Sequence, residues 1–179
     1  MFSCKQLNIL DEVKLNVILT LSGQEDCLYL NLYAPVQPDE VQELPVMVWI
    51  HGGGFFAGSG SAQDYGPQKF MDTNRVILVS GEGVAFGLFV YIILCQVTIN
   101  YRLSGLGWLS LDSEGVQGNQ GLHDMVAALT WVRDNVGYFG GDPDQVTIFG
   151  ESAGSWGVSY LSVAPLAKVC NRGIIISFP

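Results

Sequence analysis

The chain has 179 residues, a length that suits one domain with a sizeable core. Its hydrophobic fraction is 49% and its charged fraction 14%, which excludes an intrinsically disordered chain. The net charge is −9, from 8 basic and 17 acidic residues. This charge argues against a nucleic-acid partner, because binding to a phosphate backbone needs a positive surface.

The four cysteines, Cys4, Cys27, Cys95 and Cys170, include no CxxC pair and no Cys/His ligand spacing. The sequence therefore predicts no structural zinc site. Residues 1–5 lack the basic stretch followed by a long apolar one that marks a signal peptide.

Three apolar segments predict β-strands. In residues 28–33, which precede Pro35, leucine alternates with tyrosine or asparagine. Residues 45–50 and 146–149 are largely continuous apolar runs, and each is followed by glycine within two residues. Continuous runs of this kind are typical of strands that are buried on both faces.

Between the last two strands, apolar residues spaced by three and four predict one face of a helix: Leu122, Met125, Val126, Leu129, Val132 and Val136. Asn119 is its expected N-cap, and Gly137 is expected just past its end. A second helix is expected to begin at Ser152. Strands that alternate with helices predict an α/β fold with a mostly parallel sheet.

The most hydrophobic segment is residues 83–95, between Glu82 and Gln96. A membrane span needs about twenty apolar residues, whereas about ten to fourteen are more often a buried element. We therefore favour a buried core segment over a membrane span.

A GxSxG motif at residues 150–154 directly follows the third strand and opens the second helix. A serine on such a sharp turn stands clear of the sheet, and its neighbours must be small because the backbones crowd there. The positive end of the helix favours a tetrahedral oxyanion nearby. Ser152 is thus the candidate nucleophile; the alternative is a glycine-rich turn with Ser152 as a helix N-cap.

A second motif, His51 followed by three glycines, ends the second strand. Consecutive glycines leave backbone N–H groups free to point at a ligand oxygen, as in the oxyanion-hole loop of lipases and esterases, which the N–H of Ala153 would complete. The alternative is a flexible glycine loop.

Together with further segments, these motifs resemble the type-B carboxylesterase and cholinesterase family. The matching segments are residues 25–31 (EDCLYLN), 45–56 (PVMVWIHGGGFF), 100–102 (NYR), 118–141 and 142–157. The resemblance implies a partial α/β-hydrolase fold with a mostly parallel central sheet flanked by helices. It implies one incomplete domain over residues 1–179 that is truncated before the C-terminal half.

The resemblance also implies hydrolysis of a small-molecule carboxylic ester, with Ser152 as the nucleophile and Gly53, Gly54 and Ala153 as the oxyanion donors. No metal or cofactor is implied, and family membership suggests a secreted or endoplasmic-reticulum location.

Two side-chain pairings, a disulfide and an ion pair, are expected from the family resemblance alone. Cys4 stands in the family's upstream Cys-x-Gln, so a disulfide between Cys4 and Cys27 is expected; two unpaired thiols are the alternative. Arg102 and Asp124 stand at positions that resemble a buried ion pair.

The chain departs from the family at residues 80–97. The run 76–79 is expected to pass directly into residues 98–102, and removal of the intervening residues restores a family-like NRVILVTINYRL. We interpret residues 80–97 as an insertion, from an unspliced intron or a gene-prediction error, that contains Cys95. It is expected to disturb the strand that leads to Asn100.

A second departure concerns the catalytic triad. The α/β-hydrolase order is serine, acid, histidine, yet residues 153–179 contain no Asp, Glu or His. Both histidines lie upstream, His51 in the glycine motif and His123 on the predicted helix, and neither is expected to be the base. The triad acid and histidine are therefore expected to be missing from these 179 residues.

Three functions are compatible with these motifs. The first is an esterase that acts through an acyl-Ser152 intermediate. The second is a neuroligin-like binding module, which the intact motif around Ser152 disfavours because such relatives commonly lose the nucleophile. The third, an inactive fragment or pseudoenzyme, is favoured for these 179 residues, and the first is favoured for the gene.

Overall fold

A computed structural model describes residues 4, 6–10, 18–34, 43–67, 95–111, 115–167 and 173–177. Within these ranges the chain forms a five-stranded sheet with helices and a separate two-stranded antiparallel sheet. The strands are β1 (Gln6–Leu10), β2 (Ile18–Ser22), β3 (Leu30–Tyr33), β4 (Leu44–Ile50), β5 (Cys95–Ile99), β6 (Gly141–Glu151) and β7 (Gly173–Ser177). The helices are α1 (Ala62–Tyr65), α2 (Ser104–Trp108), α3 (Gln120–Asn135) and α4 (Ala153–Val163), with 3₁₀ turns at Val136–Phe139 and Pro165–Ala167.

The main sheet has the order β3-β5-β4-β6-β7. Strands β5, β4, β6 and β7 are parallel, and β3 is antiparallel to β5 at one edge, which confirms the mostly parallel sheet. Ile50 of β4 pairs with both Ile99 of β5 and Gly150 of β6. Three neighbouring strands therefore end at the same level, and the residues that follow them meet at one edge of the sheet.

Strand β4 shows how the core is built. Its side chains alternate between buried and half-buried, and Val46, Val48 and Ile50 are fully buried. Burying each such side chain contributes about 1.5–3 kcal/mol. On the face of Ile50, helices α3 and α4 meet so closely that a Cβ added to Gly157 of α4 would lie 3.1 Å from the Met125 sulfur of α3. The glycine therefore lets both helices pack on the sheet.

Helix α3 matches its predicted apolar face, and Asn119 and Gly137 stand at its two ends as expected. Asn119 precedes the helix in a left-handed conformation, with φ 59°, and its side chain makes no capping hydrogen bond. Gly137 lies inside the 3₁₀ turn, and the left-handed residue that ends this segment is Gly140, with φ 83°. Gly137 thus lies just past the end of α3, as predicted, and a 3₁₀ turn continues from there to the left-handed Gly140.

The proposed insertion, residues 80–97, falls mostly outside the described residues, as do Cys170 and all of the apolar segment 83–95 except Cys95. Its last three residues, 95–97, lie in β5, which pairs with both β3 and β4. The expected disturbance of the strand that leads to Asn100 is therefore wrong for β5 itself. Among the described residues, no helix has the length and apolar character to cross a membrane.

Cys4 and Cys27 form a disulfide, with their Cα atoms 4.7 Å apart, which confirms the expected pair. The Cys27 carbonyl accepts a hydrogen bond of 3.0 Å from Asn100 Nδ2. The cross-link thus tethers a segment that contacts the end of β5.

Arg102 and Asp124 also pair as expected. The Asp124 carboxylate accepts from the Arg102 backbone N–H at 2.9 Å, from Nε at 2.8 Å and from Nη2 at 2.6 Å. The Asp124 side chain is 5% exposed and the Arg102 side chain 35% exposed, so the burial is mainly that of the carboxylate. The carboxylate raises the pKa of the Arg102 guanidinium, and the pair joins α3 to the segment after β5.

We predict that Asp124→Asn lowers the free energy of unfolding by about 2 kcal/mol. Breaking a fully buried pair costs about 3–5 kcal/mol, and the partial exposure of Arg102 reduces that cost. The matched control is Asp134→Asn, which removes an exposed pair with Arg133 and should change stability little. Urea unfolding of both variants tests this, and equal losses of stability would contradict it.

Candidate active site

Ser152 lies on a sharp turn between β6 and α4. Its backbone angles are φ 53° and ψ −123°, a conformation that costs a non-glycine residue about 1–3 kcal/mol and persists only when the surroundings impose it. The Ser152 carbonyl accepts from the backbone and hydroxyl of Ser155, at 3.0 and 2.6 Å. Ser152 occupies the N-cap position of α4, but its side chain makes no capping hydrogen bond.

The two glycines of the GxSxG motif are sterically required. We call residues 150–154 the elbow. A Cβ on Gly154 would clash with the Ile50 carbonyl oxygen and lie 2.8 Å from the His51 carbonyl oxygen. A Cβ on Gly150 would lie 2.6 Å from the Gly154 carbonyl carbon. The backbone of the elbow therefore lies in direct contact with the backbone at the end of β4.

Residues 51–60, which we call the glycine loop, lie against the elbow. A Cβ on Gly52 would be 2.8 Å from the Glu151 carbonyl oxygen and 3.1 Å from Ser152 Cβ. Gly53, with φ 100°, closes a turn in which its carbonyl accepts from the N–H groups of Phe56 and Ala57, both at 3.0 Å. The two sequence motifs thus come together, and the loop has a defined hydrogen-bonded turn.

The N–H groups of Gly53 and Gly54 remain available for a ligand. Neither donates a hydrogen bond to another group in the described part of the chain. Both glycines have positive φ, 100° and 63°, which L side chains rarely adopt. The backbone at these two positions can therefore present donors where a side chain would be strained.

His51 is enclosed at the base of the glycine loop. It is 1% exposed, and its ring stacks on Tyr101 with a centroid distance of 4.4 Å and an interplanar angle of 16°. Its Nδ1 lies 2.8 Å from the Gly52 carbonyl oxygen, and its Nε2 has no partner among the described residues. Burial lowers the His51 pKa to about 4, and the contact with the Gly52 carbonyl only partly opposes this shift. His51 is therefore neutral at pH 7.

The other histidine, His123, lies on the exposed face of α3. No hydrogen bond joins either histidine to Ser152 in the described residues. The described residues also include no group of three or more His, Cys, Asp or Glu side chains that could hold a metal ion.

The segment after β5 anchors the glycine loop at several points that the motif analysis did not predict. The Gly60 N–H donates to Asn100 Oδ1 at 2.8 Å, and the Tyr101 hydroxyl donates to the His51 carbonyl at 2.7 Å. The Ser104 N–H donates to the Phe55 carbonyl at 2.8 Å. The available signal was the polar triplet at residues 100–102 directly after a strand, and the sequence analysis used it only as a family resemblance.

A cleft of about 300 Å³ opens beside the elbow. It is lined by Trp49, Asp64, Tyr65, Gly66, Gln96, Phe149 and Glu151. Trp49 packs against Tyr65 and Phe149 with centroid distances of 5.1 and 4.9 Å. Of the elbow, only Glu151 lines this cleft, which is partly aromatic and of small-molecule size.

We predict that His51 makes the chain less stable in acid. Unfolding returns the His51 pKa from about 4 to 6.5, so the unfolded chain binds more protons between these pH values and stability rises with pH across that window. His51 should remove about 3 kcal/mol as pH falls from 6.5 to 4. Urea unfolding at several pH values, compared with His51→Gln, isolates this contribution from the carboxylates; parallel pH profiles would contradict it.

Comparison with known proteins relates this arrangement to a family. The model of the Carboxylesterase family matches residues 3–82 and 87–178. The chain is 42% identical over 171 residues to pyrethroid hydrolase Ces2a of Mus musculus, covering 95% of this chain and 27% of that protein. It is 46% identical over 146 residues to para-nitrobenzyl esterase of Bacillus subtilis (strain 168), covering 80% of this chain and 26% of that protein.

Solved structures of esterases have the same fold over this part of their chains. The juvenile hormone esterase of Manduca sexta, solved with OTFP covalently attached, superposes with a TM-score of 0.75 and 34% identity over 99% of this chain and 30% of that chain. A PNB esterase superposes with a TM-score of 0.73 and 38% identity over 97% of this chain and 31% of that chain. The chain thus spans between a quarter and a third of the length of these relatives. With the elbow, the glycine loop and these matches in agreement, the chain belongs to the carboxylesterase family.

Proposed function

We propose that this chain supplies the nucleophile and the oxyanion donors of a carboxylic ester hydrolase. The observation that carries the proposal is the strained turn at Ser152 in backbone contact with the glycine loop. Strained backbone conformations cluster at active sites, and here the strained serine follows Glu151, against which the glycine loop packs, with two loop N–H groups that have no partner among the described residues. The ligand is a small-molecule carboxylic ester, and the family relatives include hydrolases and esterases of such compounds by name.

The reaction proceeds through an acyl-enzyme. Ser152 Oγ attacks the ester carbonyl carbon as a base takes its proton, and the carbonyl oxygen becomes an oxyanion. The N–H groups of Gly53, Gly54 and Ala153 donate to that oxygen. The C–O bond to the alcohol then breaks, and the alcohol leaves with the proton. Water next attacks the acyl-Ser152 ester, which releases the carboxylic acid and returns the proton to Ser152.

The base and its orienting acid have no candidate in the described site. No Asp, Glu or His follows Ser152 in the sequence, His51 is buried and neutral, and His123 lies exposed on α3. Both groups would have to come from chain outside these residues. The covalent attachment of OTFP to the Manduca sexta juvenile hormone esterase supports covalent chemistry within the family.

Without a base, we infer that these 179 residues alone act as a catalytically inactive fragment. A serine hydroxyl is a weak nucleophile at neutral pH, and loss of a triad member costs several orders of magnitude in rate. A neuroligin-like binding role is less well supported, because the elbow retains Ser152 and its conformation.

We predict that the 179-residue chain hydrolyses 4-nitrophenyl acetate no faster than its Ser152→Ala variant. The reason is the missing base, which leaves Ser152 protonated during attack. Release of 4-nitrophenol by the two purified proteins tests this. A rate well above that of Ser152→Ala would show that the chain contains its own base, and His51→Gln and His123→Gln would then identify it.

We further predict that a chimera is active. In it, this chain replaces the matching part of Bacillus subtilis para-nitrobenzyl esterase, which supplies the remaining sequence. Ser152→Ala should lower its kcat for 4-nitrophenyl acetate by at least about a thousandfold. The matched control is Ser162→Ala on the same helix, whose hydroxyl donates to the nearby Ser159 carbonyl; its kcat should stay unchanged. A folded chimera in which Ser152→Ala retains the parent rate would refute the proposed nucleophile.

A further inference from the structure

We propose that Tyr101 is a positioning residue that sets the placement of the oxyanion donors relative to Ser152. The proposal rests on the proposed function, since the donors matter only for an oxyanion. Tyr101 contacts the base of the glycine loop twice. Its hydroxyl donates to the His51 carbonyl oxygen at 2.7 Å, and its ring stacks on the His51 imidazole.

The His51 carbonyl oxygen lies between the two halves of the site. On one side it accepts from Tyr101. On the other, it lies 2.8 Å from where a Cβ of Gly154 would stand in the elbow. It also belongs to the peptide bond that leads into Gly52, directly before Gly53. Rotation of this peptide would move the donors and would change the spacing between the loop and the elbow.

Tyr101 is itself held firmly. It directly follows Asn100 at the end of β5 and is 0% exposed. The next residue, Arg102, donates its backbone N–H to the buried carboxylate of Asp124. Burial raises the pKa of Tyr101 far above its ordinary value, so its hydroxyl stays protonated at neutral pH and can donate. The central sheet therefore fixes the place of the His51 carbonyl.

The far end of the glycine loop is anchored independently. The Gly60 N–H donates to Asn100, and the Gly60 carbonyl accepts from Thr98 Oγ1 at 2.7 Å and from Asn31 Nδ2 at 2.8 Å. Loss of the Tyr101 hydroxyl thus removes the bond at the start of the loop, just before the donors, whereas the bonds at Gly60 and from the Ser104 N–H to the Phe55 carbonyl remain. Because the stacked ring remains, Tyr101→Phe is a conservative test.

The first test uses the 179-residue chain and amide hydrogen exchange. The N–H groups of Phe56 and Ala57 bond to the Gly53 carbonyl, so their exchange rates report the turn that holds the donors. We compare them with the N–H of His123, which bonds to the Asn119 carbonyl at the start of α3. In Tyr101→Phe, the ratio of loop to helix exchange should rise about tenfold.

The control for global destabilisation is Val132→Ala. Val132 is fully buried in α3, so this variant lowers stability in a helix of the same core while the hydrogen bonds of the loop remain. The exchange ratio should not rise in Val132→Ala, because this variant weakens the helix that carries the reference N–H of His123. An unchanged ratio in Tyr101→Phe would overturn the proposal, because the ratio removes any common loss of stability.

The second test uses the chimera with the Bacillus subtilis para-nitrobenzyl esterase remainder. Tyr101→Phe should lower kcat about tenfold to a hundredfold with KM within about threefold, because displaced oxyanion donors weaken the transition state more than the bound ester. Val132→Ala should retain the parent kcat at a temperature where both variants are folded. A kcat within about twofold of the parent in Tyr101→Phe would overturn the proposal.

Different results would contradict the proposed function and the positioning role of Tyr101. If Ser152→Ala leaves hydrolysis by the chimera unchanged, the proposed nucleophile is wrong, whatever Tyr101 does. If hydrolysis depends on Ser152 but Tyr101→Phe changes only KM, the proposed function stands and the positioning role of Tyr101 is wrong.

Discussion

The site depends on one steric constraint, the close approach of three backbones where β4, β6 and α4 meet. The carbonyl oxygens of Ile50 and His51 occupy the space that a side chain at Gly154 would need. This contact holds Ser152 in a conformation that an isolated peptide would leave. It also places the glycine loop beside the serine, since Gly52 directly follows His51. The elbow and the loop are therefore one packed unit, although about a hundred residues separate them in the sequence.

Much of this unit could be predicted from local sequence. The glycines at Gly52–Gly54 and around Ser152 indicate tight turns by themselves, because only glycine tolerates such crowding. Continuous apolar runs before each motif likewise indicate buried parallel strands. The capping of α3 could not be predicted as well: Asn119 and Gly137 stand at the expected positions, but the Asn119 side chain makes no capping bond and the left-handed glycine is Gly140, after a 3₁₀ turn.

The anchoring of the loop was harder to predict, because it depends on which residues of distant strands share a level. Sequence indicates that Asn100 and Tyr101 follow a strand, but not that β5 lies beside β4 with Ile99 opposite Ile50. Once that register exists, the first residues after both strands are neighbours, and Tyr101 reaches the His51 carbonyl. Long-range register of this kind follows from tertiary packing rather than from local propensity.

Within residues 95–101, which comprise β5 and the two residues after it, the first three and the later residues have different roles. Residues 95–97 begin the strand, whereas Thr98, Asn100 and Tyr101 carry the bonds to the glycine loop. If residues 80–97 were absent, Ile77, Leu78 and Val79 would directly precede Thr98 and would fill the three vacated positions with apolar side chains. Thr98, Asn100 and Tyr101 would keep their places after the strand start, so such a chain would have the same loop anchors and would differ mainly in whether a buried amide, Gln96, or a leucine lines the cleft.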